Sequence, residues 1–373
     1  MEKTKVVIAS ILKPIDDTRM YEKFGLSMAK TNKYDINIIG FTSKNVKPYD
    51  SIEFHPLGQF SRISWKRFFA PLKVFKILVK VKPQLVICNT HELLIVTWLY
   101  RILFGAKIVY DIRENYYKNI RYTQVFPPLL RPFIATWVRI KERLAALTYH
   151  QFIMAERVYK EQMLFIPERA VVIENKYKPM GEAERIARPL LPDTLDLIIT
   201  GTISRSNGVF EAISIAKSLH EIDSQIRLKI VGYCALKADL VALQEQIKDL
   251  EFIELIGGDF LVPHPQIVEE ISKADYGFVL KKPNNGVNDD KVLTRLFEYT
   301  ANHLPILLLN NPHWVSFCQE YNAAIPIDPA HYEAKALLAT MKNGEFYTMG
   351  DTNNSLWNNE EPKLLSTISK LLS

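Results

Sequence analysis

The sequence has few cysteines and no long apolar run. Cys88, Cys234 and Cys318 are widely separated among 373 residues, so their spacing gives neither a disulfide framework nor the close pairs of a zinc site. The apolar stretches fall well short of the roughly 20 residues that a membrane-spanning helix needs. VVIASIL near the N-terminus is too short for the core of a signal peptide. These absences predict a cytoplasmic protein without a transmembrane helix.

Acidic residues are scarce in the first half of the chain. Residues 1–180 contain 30 Lys and Arg against 15 Asp and Glu, a net charge of +15, whereas residues 181–373 contain 17 against 26, a net charge of −9. No acid occurs between Glu53 and Glu92. This asymmetry indicates an anionic partner for the first half: nucleic acid, membrane lipid or a phosphorylated substrate.

Short apolar runs typical of buried strands alternate with helical patterns along the chain. The runs are KVVIAS, INIIGF, QLVICN and AKIVYD in the first half, and LDLIITG, IRLKIVG, IELIG, YGFVL and PILLL in the second. Such alternation predicts βαβ units and parallel sheets. Because the chain is also longer than one hydrophobic core usually serves, we predict an α/β protein with two Rossmann-like, doubly wound domains.

A polar segment with three prolines, KYKPMGEAERIARPLLPD, separates the two series of strands. Such composition is typical of a linker or hinge. We therefore expect a first domain over residues 1–180 and a second over residues 190–357, with a final helix over 358–373 that packs back on the first domain. Ligands of such domains bind at the carboxyl ends of the strands, here in a cleft between the domains.

The loop after the first predicted strand carries Arg19 in the first turn of a helix. A cation there opposes the helix dipole, which favours an anionic partner for it. Asp17 or Thr18 beside it can cap the helix. The third predicted strand is followed by His91, at a strand-to-helix turn where catalytic residues of such folds occur. A solvated or capping role for His91 is equally open.

Three charged residues, Asp111, Arg113 and Glu114, crowd the end of the next predicted strand. Charged side chains at such a strand end are typical of a substrate site, because ligands of these sheets bind there. They are equally typical of an internal ion-pair network. The sequence leaves both interpretations open.

Two loops of the second half combine glycines with cations. GTISRSNG ends a predicted strand at Gly201 and opens a helix at Asn207-Gly208, where backbone N–H groups and Arg205 could bind a phosphate. A further basic cluster surrounds the start of the helix that carries Glu298, and its members are Lys281, Lys282, Lys291 and Arg295. Most helical glutamates are solvated, but the position of Glu298 beside these cations suggests a binding role.

These segments resemble glycosyltransferase family 4, whose members have the GT-B fold, two Rossmann-like domains facing across a cleft. The matching segments span nearly the whole chain: DTRMYEKFG, His91, GAKIVYDIRE, GTISRSNG, RLFEYTANHLPILLLNNPHW and the helix after LWNNEEPKLL. In that family the second acid of an E-x7-E motif binds the nucleotide ribose, and the first lies by the transferred sugar. The resemblance implies that Glu298 binds the ribose and that Asp290 stands in place of the first acid.

The chain differs from the family pattern at three positions. Asn207 stands where Lys or Arg usually precedes the glycine, so diphosphate binding would fall to Arg205 or Arg295. Arg113 replaces the His of related YDSHE segments, and His303 replaces the usual Gly before Leu-Pro.

The resemblance implies a retaining hexosyltransferase that moves a sugar from a nucleotide-sugar donor to a glycan or lipid-linked acceptor, in cell-surface polysaccharide synthesis. The predicted donor-binding residues are Gly201, Arg205, Asn207, Lys282, Arg295 and Glu298. His91 and Asp290 are the predicted catalytic residues, and Arg19, Arg113 and Glu114 are predicted on the acceptor side. No Asp-x-Asp motif occurs, so neither a metal nor another cofactor is expected, and helix N-termini with basic side chains would stabilise the diphosphate.

Two other functions are compatible with parts of the sequence. An epimerase of the same fold, acting on the nucleotide sugar, would need the donor site but no acceptor pocket. A nucleic-acid-binding protein would account for the basic half. It would leave Glu298 and the acidic half unexplained, so no nucleic acid is expected as a partner.

One basic, aromatic stretch suggests contact with a membrane. Residues 62–82, RISWKRFFAPLKVFKILVKVK, contain seven basic residues interleaved with aromatic ones, which suits the surface of an anionic bilayer. A solvated lysine face over an ordinary core-facing stripe is equally open. A second tract, residues 116–144, favours a lipid-linked acceptor. The predicted location is cytoplasmic, with peripheral contact at the inner face of the plasma membrane left open.

Overall fold

The chain forms two compact units. The structure, a computed structural model, describes residues 3–43, 46, 48–60, 64–122, 126–179, 194–283 and 290–373. Unit 1 comprises residues 1–178 together with 357–373, and unit 2 comprises residues 179–356. Each unit is built on one parallel sheet.

The described residues of unit 1 form seven strands: β1 (Thr4–Pro14), β2 (Tyr34–Phe41), β3 (Ile52–Pro56), β4 (Leu85–Cys88), β5 (Lys107–Ile112), β6 (Gln151–Met154) and β7 (Val171–Val172). Their order across the sheet is β3-β2-β1-β4-β5-β6-β7. The order reverses between β1 and β4, which is the pattern of a doubly wound Rossmann-like sheet.

Helices form most of the connections of unit 1. A π-helical segment, Thr18–Gly25, precedes α1 (Leu26–Ala29), and a 3₁₀ turn, His91–Leu93, precedes α3 (Leu94–Phe104). The other helices of this part of the chain are α2 (Trp65–Val81), α4 (Tyr116–Tyr122), α5 (Arg131–Thr148) and α6 (Tyr159–Gln162).

Both faces of the unit 1 sheet are covered, which explains why β1 reads as an unbroken apolar run. Val7 and Ala9 of β1 pack into the core on one face, where α2, α3 and α5 also contribute buried side chains. Val6 and Ile8 pack into the core on the opposite face, together with Phe24 of the π-helical segment.

In the described part of unit 2 there are six strands: β8 (Leu195–Thr202), β9 (Ile226–Tyr233), β10 (Ile253–Gly258), β11 (Tyr276–Val279), β12 (Ile306–Leu309) and β13 (Ala324–Ile327). Their order is β10-β9-β8-β11-β12-β13. The order reverses between β8 and β11, so unit 2 is also doubly wound.

The helices of unit 2 are α7 (Val209–His220), α8 (Lys237–Ile247), α9 (His264–Lys273), α10 (Thr294–Ala301), α11 (Pro312–Gln319) and α12 (Ala334–Asn343). Two 3₁₀ turns, Arg205–Asn207 and Thr352–Ser355, add to them. The apolar sides of these helices pack against both faces of the sheet. Throughout the described residues, no helix combines the length and hydropathy needed to cross a bilayer.

The end of the chain belongs to unit 1. Trp357 is fully buried, its backbone N–H donates to the Tyr177 carbonyl at 2.6 Å, and its indole Nε1 donates to Ser27 Oγ at 3.0 Å. A 3₁₀ turn, Trp357–Asn359, leads from it into α13 (Glu361–Leu372). Leu364 and Ile368 of α13 enter the same core as Val6 of β1.

Candidate functional site

The loops after β8 and β11 meet where the strand order of unit 2 reverses. The backbone N–H of Lys282, after β11, donates to the Ser206 carbonyl, after β8, at 2.8 Å. Gly208 has a φ of 79°, and a Cβ at this position would lie 2.3 Å from the Leu280 carbonyl oxygen. Only glycine therefore lets the two loops approach so closely. Sheets of this type bind ligands at such a crossing point.

A row of glycines crosses the carboxyl ends of three neighbouring strands. Gly201 of β8 pairs with Gly232 of β9, and Gly232 pairs with Gly257 of β10. A Cβ at Gly232 would lie 1.7 Å from the Gly201 carbonyl oxygen, and one at Gly257 would lie 2.3 Å from the Gly232 carbonyl oxygen. These backbones are packed too closely for any side chain, so this edge of the sheet presents main-chain groups.

The space above Gly201 is filled by Arg295. A Cβ at Gly201 would lie 2.6 Å from Arg295 Nη2. Arg295 stands in the first turn of α10 and is half-buried. Within the described ranges, no carboxylate oxygen lies within 4.0 Å of its guanidinium. A half-buried cation without such a partner is suited to an anionic ligand.

Glu298 lies one turn after Arg295 on α10, and its carboxylate is held by a histidine. Glu298 Oε1 lies 2.8 Å from His264 Nε2, and the Glu298 side chain is 12% exposed. His264 begins α9, after β10. Sequence reasoning missed His264, although its place in a Pro-His-Pro turn after a predicted strand was an available signal.

Two further predicted donor-binding residues already have partners inside unit 2. Arg205 Nε lies 3.3 Å from Asp239 Oδ1, and the Arg205 guanidinium lies 4.4 Å from the centre of the Phe210 ring. Lys282 Nζ lies 2.6 Å from Glu211 Oε1. The Arg205 and Lys282 side chains are 61% and 50% exposed. Solvent-exposed ion pairs are weak, so an anion could displace either carboxylate.

Asn207 and Asp290 lie beside the same loops. The Asn207 side-chain amide donates to the Thr202 carbonyl at 2.7 Å, so it stabilises the turn after β8. Asp290 lies in a turn before α10. The residues before it, 284–289, lie outside the described part of the chain. The structure describes all four members of the predicted basic cluster, Lys281, Lys282, Lys291 and Arg295, but not the loop that joins them. The binding and catalytic roles of these residues stay predictions.

In unit 1, Arg19 and Asp111 form a buried ion pair at the carboxyl ends of β1 and β5. Arg19 Nη2 donates to Asp111 Oδ1 at 2.7 Å, Arg19 Nε donates to Asp111 Oδ2 at 2.9 Å, and both side chains are fully buried. Asn89 Nδ2 also donates to Asp111 Oδ2, at 2.7 Å. The anion predicted for Arg19 is thus supplied by the protein itself.

Arg113 forms a second ion pair, with Asp17. Arg113 Nη1 and Nη2 donate to the two Asp17 oxygens at 2.7 and 3.1 Å, and Asp17 caps the π-helical segment through the Arg19 and Met20 N–H groups. Burial alone would raise the pKa of Asp17, but the charge and hydrogen bonds of Arg113 outweigh it and lower that pKa to about 2. With Glu114 accepting from Asn119 Nδ2 at 2.7 Å, the side chains at this strand end form an internal network. The acceptor-side role of Arg113 and Glu114 stays a prediction.

His91 is buried in a polar cluster after β4. Lys141 Nζ lies 3.2 Å from His91 Nδ1, and Glu92 Oε2 lies 3.5 Å from His91 Nε2. Because an ammonium group only donates, Nδ1 accepts and the ring proton lies on Nε2. Burial lowers the pKa of His91 to about 4, so the imidazole is neutral near pH 7. A neutral ring of this kind donates hydrogen bonds but supplies no charge.

The surroundings of His91 contain residues that sequence reasoning missed. Lys141 comes from α5, and Arg67 of α2 donates to Glu92 Oε1. The Tyr116 ring lies edge-on to the His91 ring, with 4.8 Å between centres. Tyr116 comes two residues after Glu114, so its place beyond a predicted strand end was an available signal. Lys141 had no detectable signal, because it is distant in sequence from any strand-end motif.

Metal ligands are not brought together in the described residues: no group of three or more His, Cys, Asp or Glu there could hold an ion. The absence of a metal from the reaction stays a prediction.

An open depression of about 770 Å³ in unit 2 lies at the opposite edge of the sheet, near the starts of β8 and β9, where Asp196 and Arg227 lie. It is not the candidate site, since ligands of doubly wound sheets bind at the carboxyl ends.

Two parallel sheets with Rossmann-like strand order, one in each unit, define the fold as that of the GT-B glycosyltransferases. Similar solved structures include sucrose-phosphate synthase from Thermosynechococcus elongatus, with a TM-score of 0.69, 13% identity and 99% of each chain covered. Anabaena HepE in complex with UDP-glucose gives a TM-score of 0.64 at 11% identity, covering 98% of this chain and 99% of that one. The predicted α/β GT-B fold is therefore confirmed.

An α,α-trehalose-phosphate synthase (UDP-forming) from Burkholderia vietnamiensis is also similar, with a TM-score of 0.64, 10% identity and full coverage of both chains. No protein-family model and no curated protein matches the sequence. At identities of 10–13%, these likenesses show a shared fold.

Proposed function

We propose that the protein is a glycosyltransferase that takes its sugar from a nucleotide-sugar donor held by unit 2. The observation that carries the proposal is the arrangement of α10. It places the Arg295 guanidinium over Gly201, without a carboxylate partner among the described residues, and places Glu298 one turn further on. The solved complexes of HepE with UDP and with UDP-glucose support the choice of donor.

Each part of the donor would meet a suitable group. Arg295 would bind the diphosphate, helped by main-chain N–H groups at the start of α7 and by Arg205 or Lys282 after their carboxylates are displaced. Glu298 would accept hydrogen bonds from the ribose hydroxyls, and His264 would hold its carboxylate in place. Stabilising the charge on the departing diphosphate is then the main contribution of unit 2 to transfer.

The proposal extends to retention of anomeric configuration, as the family resemblance implies. His91 and Asp290 would position sugar and acceptor, and the Asp17–Arg113 and Arg19–Asp111 pairs would hold the loops on the acceptor side. We also propose a role in cell-surface polysaccharide synthesis. The basic, aromatic α2, in which Trp65 and Phe68 are exposed, supports peripheral contact with an anionic membrane.

The deciding experiment is a screen of UDP, GDP, ADP and CMP sugars by calorimetry, followed by an assay for released nucleotide. For the nucleotide that binds, Glu298→Ala is expected to weaken binding by roughly 1.5–3 kcal/mol, the range for hydrogen bonds to a charged group. Glu251→Ala, at an exposed position of unit 2, is the matched control.

Three outcomes would contradict the proposal. A folded Glu298→Ala variant with unchanged nucleotide affinity would remove the ribose assignment. A changed sugar without nucleotide release would indicate an epimerase. Binding to nucleic acid that falls steeply with salt, with no response to any nucleotide sugar, would indicate a nucleic-acid-binding protein.

A further inference from the structure

The outer sides of α2, α3 and α5 expose large apolar side chains. On α5, Phe133, Trp137, Ile140, Leu144 and Leu147 are all exposed, and Phe133 and Leu147 are 75% and 82% exposed. Their spacing alternates between four and three residues, so they form one continuous stripe along the helix. The core of unit 1 already uses the other side of α5, through its buried alanines.

The stripe continues across the two neighbouring helices. α3 contacts both α2 and α5, and all three pack on the same face of the unit 1 sheet. α3 exposes Trp98 and Leu103, and α2 exposes Trp65 and Phe68. We call the outer sides of these three helices the helical face. An apolar surface that spans three helices is larger than the scattered exposed residues of an ordinary monomer, and it indicates a binding surface.

The charge of the helical face has one sign. The three helices contain five, one and four Lys or Arg residues, ten in all, against a single acid, Glu142. Glu142 is fully buried and faces Tyr110, whose hydroxyl donates to it at 3.2 Å. The exposed charge of these helices is therefore entirely positive, and it accompanies the apolar side chains.

We infer that the helical face docks on an anionic lipid bilayer and inserts its apolar side chains between the headgroups. Exposed aliphatic and aromatic residues flanked by cations are suited to that boundary, because the rings and alkyl chains leave water while the cations meet lipid phosphates. A second copy of the chain suits the face less well, since a symmetric contact would bring like charges together. Nucleic acid would neutralise the cations but leave the aliphatic side chains without a partner.

The helical face reaches the His91 cluster. Trp137, which is exposed, lies with its ring centre 6.0 Å from Lys141 Nζ, and Lys141 contacts His91. Arg67 of α2 completes the cluster through Glu92. A bilayer bound to this face would bring lipid headgroups close to His91. Resting on the function proposed above, the inference makes the acceptor a lipid-linked one, presented from the membrane to unit 1.

Sedimentation of the full chain with vesicles tests docking without depending on donor binding. The wild type is expected to bind phosphatidylglycerol vesicles far more tightly than phosphatidylcholine vesicles. Because insertion adds to charge attraction, a measurable fraction should stay bound at about 1 M salt, where the screening length is about 3 Å. Changing Lys66, Lys73 and Lys76 together to Gln is expected to weaken binding about a hundredfold at low salt.

The combined variant Leu103→Ser, Leu144→Ser, Leu147→Ser separates insertion from simple charge attraction. It is expected to weaken vesicle binding at least tenfold and to remove the salt-resistant fraction. The matched control is Leu236→Ser, Phe260→Ser, Leu261→Ser, which changes three exposed apolar residues of unit 2 and should leave vesicle binding unchanged. Circular dichroism checks that each variant is folded.

Several results would overturn the inference. If the serine variant binds vesicles as the wild type does, and high salt abolishes that binding, the contact depends on charge alone and no apolar side chains insert. A concentration-dependent dimer of the wild type that the serine variant loses would assign the face to a second copy. If the wild type binds nucleotide normally but does not bind vesicles, the docking surface is wrong and the proposed transferase is unaffected. If the wild type binds vesicles but no nucleotide sugar, the transferase and its lipid-linked acceptor are wrong and the docking surface is unaffected.

Discussion

Arg295 differs from Arg205 and Lys282 of the candidate donor site because it has no carboxylate partner among the described residues. Replacing it with Ala is expected to weaken nucleoside diphosphate binding by roughly 1.5–3 kcal/mol and to leave nucleoside binding nearly unchanged, since only the diphosphate carries the charge that it meets. Arg205→Ala should cost less, because Arg205 is exposed and already paired with Asp239. Calorimetry with both ligands measures the difference.

The exposed Arg227 is a suitable control for these two changes, because it lies at the opposite edge of the unit 2 sheet. Arg227→Ala should bind both ligands as the wild type does. Equal losses of diphosphate and nucleoside in the Arg295 variant would show that this arginine supports the fold instead of the ligand.

His91 should make the stability of unit 1 depend on pH. Burial lowers its pKa from 6.5 to about 4, so between these values the unfolded chain binds more protons than the folded one, and stability falls as pH falls. From about pH 7 to about pH 5 the loss attributable to His91 is roughly 2 kcal/mol. Urea unfolding of the wild type and of His91→Gln at both pH values isolates it.

The exposed His313 provides the comparison, because His313→Gln also removes a histidine but lies outside unit 1. An identical pH response of the wild type and His91→Gln would mean that His91 is not held neutral in the folded state.

His303 stands where the pattern of glycosyltransferase family 4 usually has Gly, and the turn between α10 and β12 still forms there. Its φ is 50°, a left-handed conformation that glycine adopts at little cost and other residues at a cost of order 1 kcal/mol. His303 Nε2 lies 2.8 Å from Thr352 Oγ1, and its ring lies 5.2 Å from that of Tyr347. These contacts help to offset the strain of the turn between α10 and β12.

At the scale of elements, the close approach of the loops after β8 and β11 requires glycine at position 208. Gly208→Ala would place a methyl group 2.3 Å from the Leu280 carbonyl oxygen at a φ of 79°. We expect a loss of stability of about 1–3 kcal/mol, together with weaker nucleotide binding. Urea unfolding and calorimetry measure the two effects.

Gly105→Ala is a matched control for the backbone strain. Gly105 has a similar φ of 73°, and a Cβ added there would meet no described atom within 4 Å. It should cost less stability than Gly208→Ala and leave nucleotide binding unchanged. Similar losses at both positions would show that left-handed strain, and not the contact with Leu280, governs Gly208.

At the scale of the whole molecule, the two units should respond differently to nucleotide. The proposed donor site uses residues of unit 2, so nucleotide at about a hundred times its dissociation constant should stabilise that unit by about 2.7 kcal/mol. Hydrogen exchange of the full chain should show the added protection in β8, β11 and α10. Protection confined to unit 1 would contradict the placement of the donor site.

The excess positive charge and the exposed apolar helices occur in the same unit. The net +15 of residues 1–180 includes the ten basic residues of α2, α3 and α5. Residues 181–373 have a net charge of −9, and some of their cations pair with carboxylates, as Lys282 does with Glu211. The excess positive charge is therefore concentrated in the unit with the apolar helical face.

Much of the fold follows from local patterns in the sequence. The apolar runs identified β1, β2, β4, β5 and β8 to β12. Buried parallel strands and amphipathic helices leave periodic patterns, because each residue's environment repeats with its element. The strands β3, β6, β7 and β13 were missed. β3 contains Glu and His, β13 contains Pro, and β7 has only two residues, which weakens the apolar run that marks a buried strand.

Strand-end positions, and the resemblance to a family, indicated the candidate site. They selected Gly201, Arg295 and Glu298, which the structure places on β8 and in the first two turns of α10. Only the tertiary structure decided which charges meet. It paired Arg19 with Asp111, and Glu298 with His264, across 92 and 34 residues of chain. Ion pairs between distant residues depend on how the strands are ordered, and no local pattern in the sequence records that order.

The helical face is a second feature that the sequence alone could not predict. The sequence identified α2 as basic and aromatic, but it could not show that α3 and α5 lie beside it on one face of the sheet. Hydrophobic residues alone do not reveal which of them remain exposed, because the core takes one side of each helix and leaves the other. The sequence determined the elements and the charge, and the packing decided which apolar side chains face water.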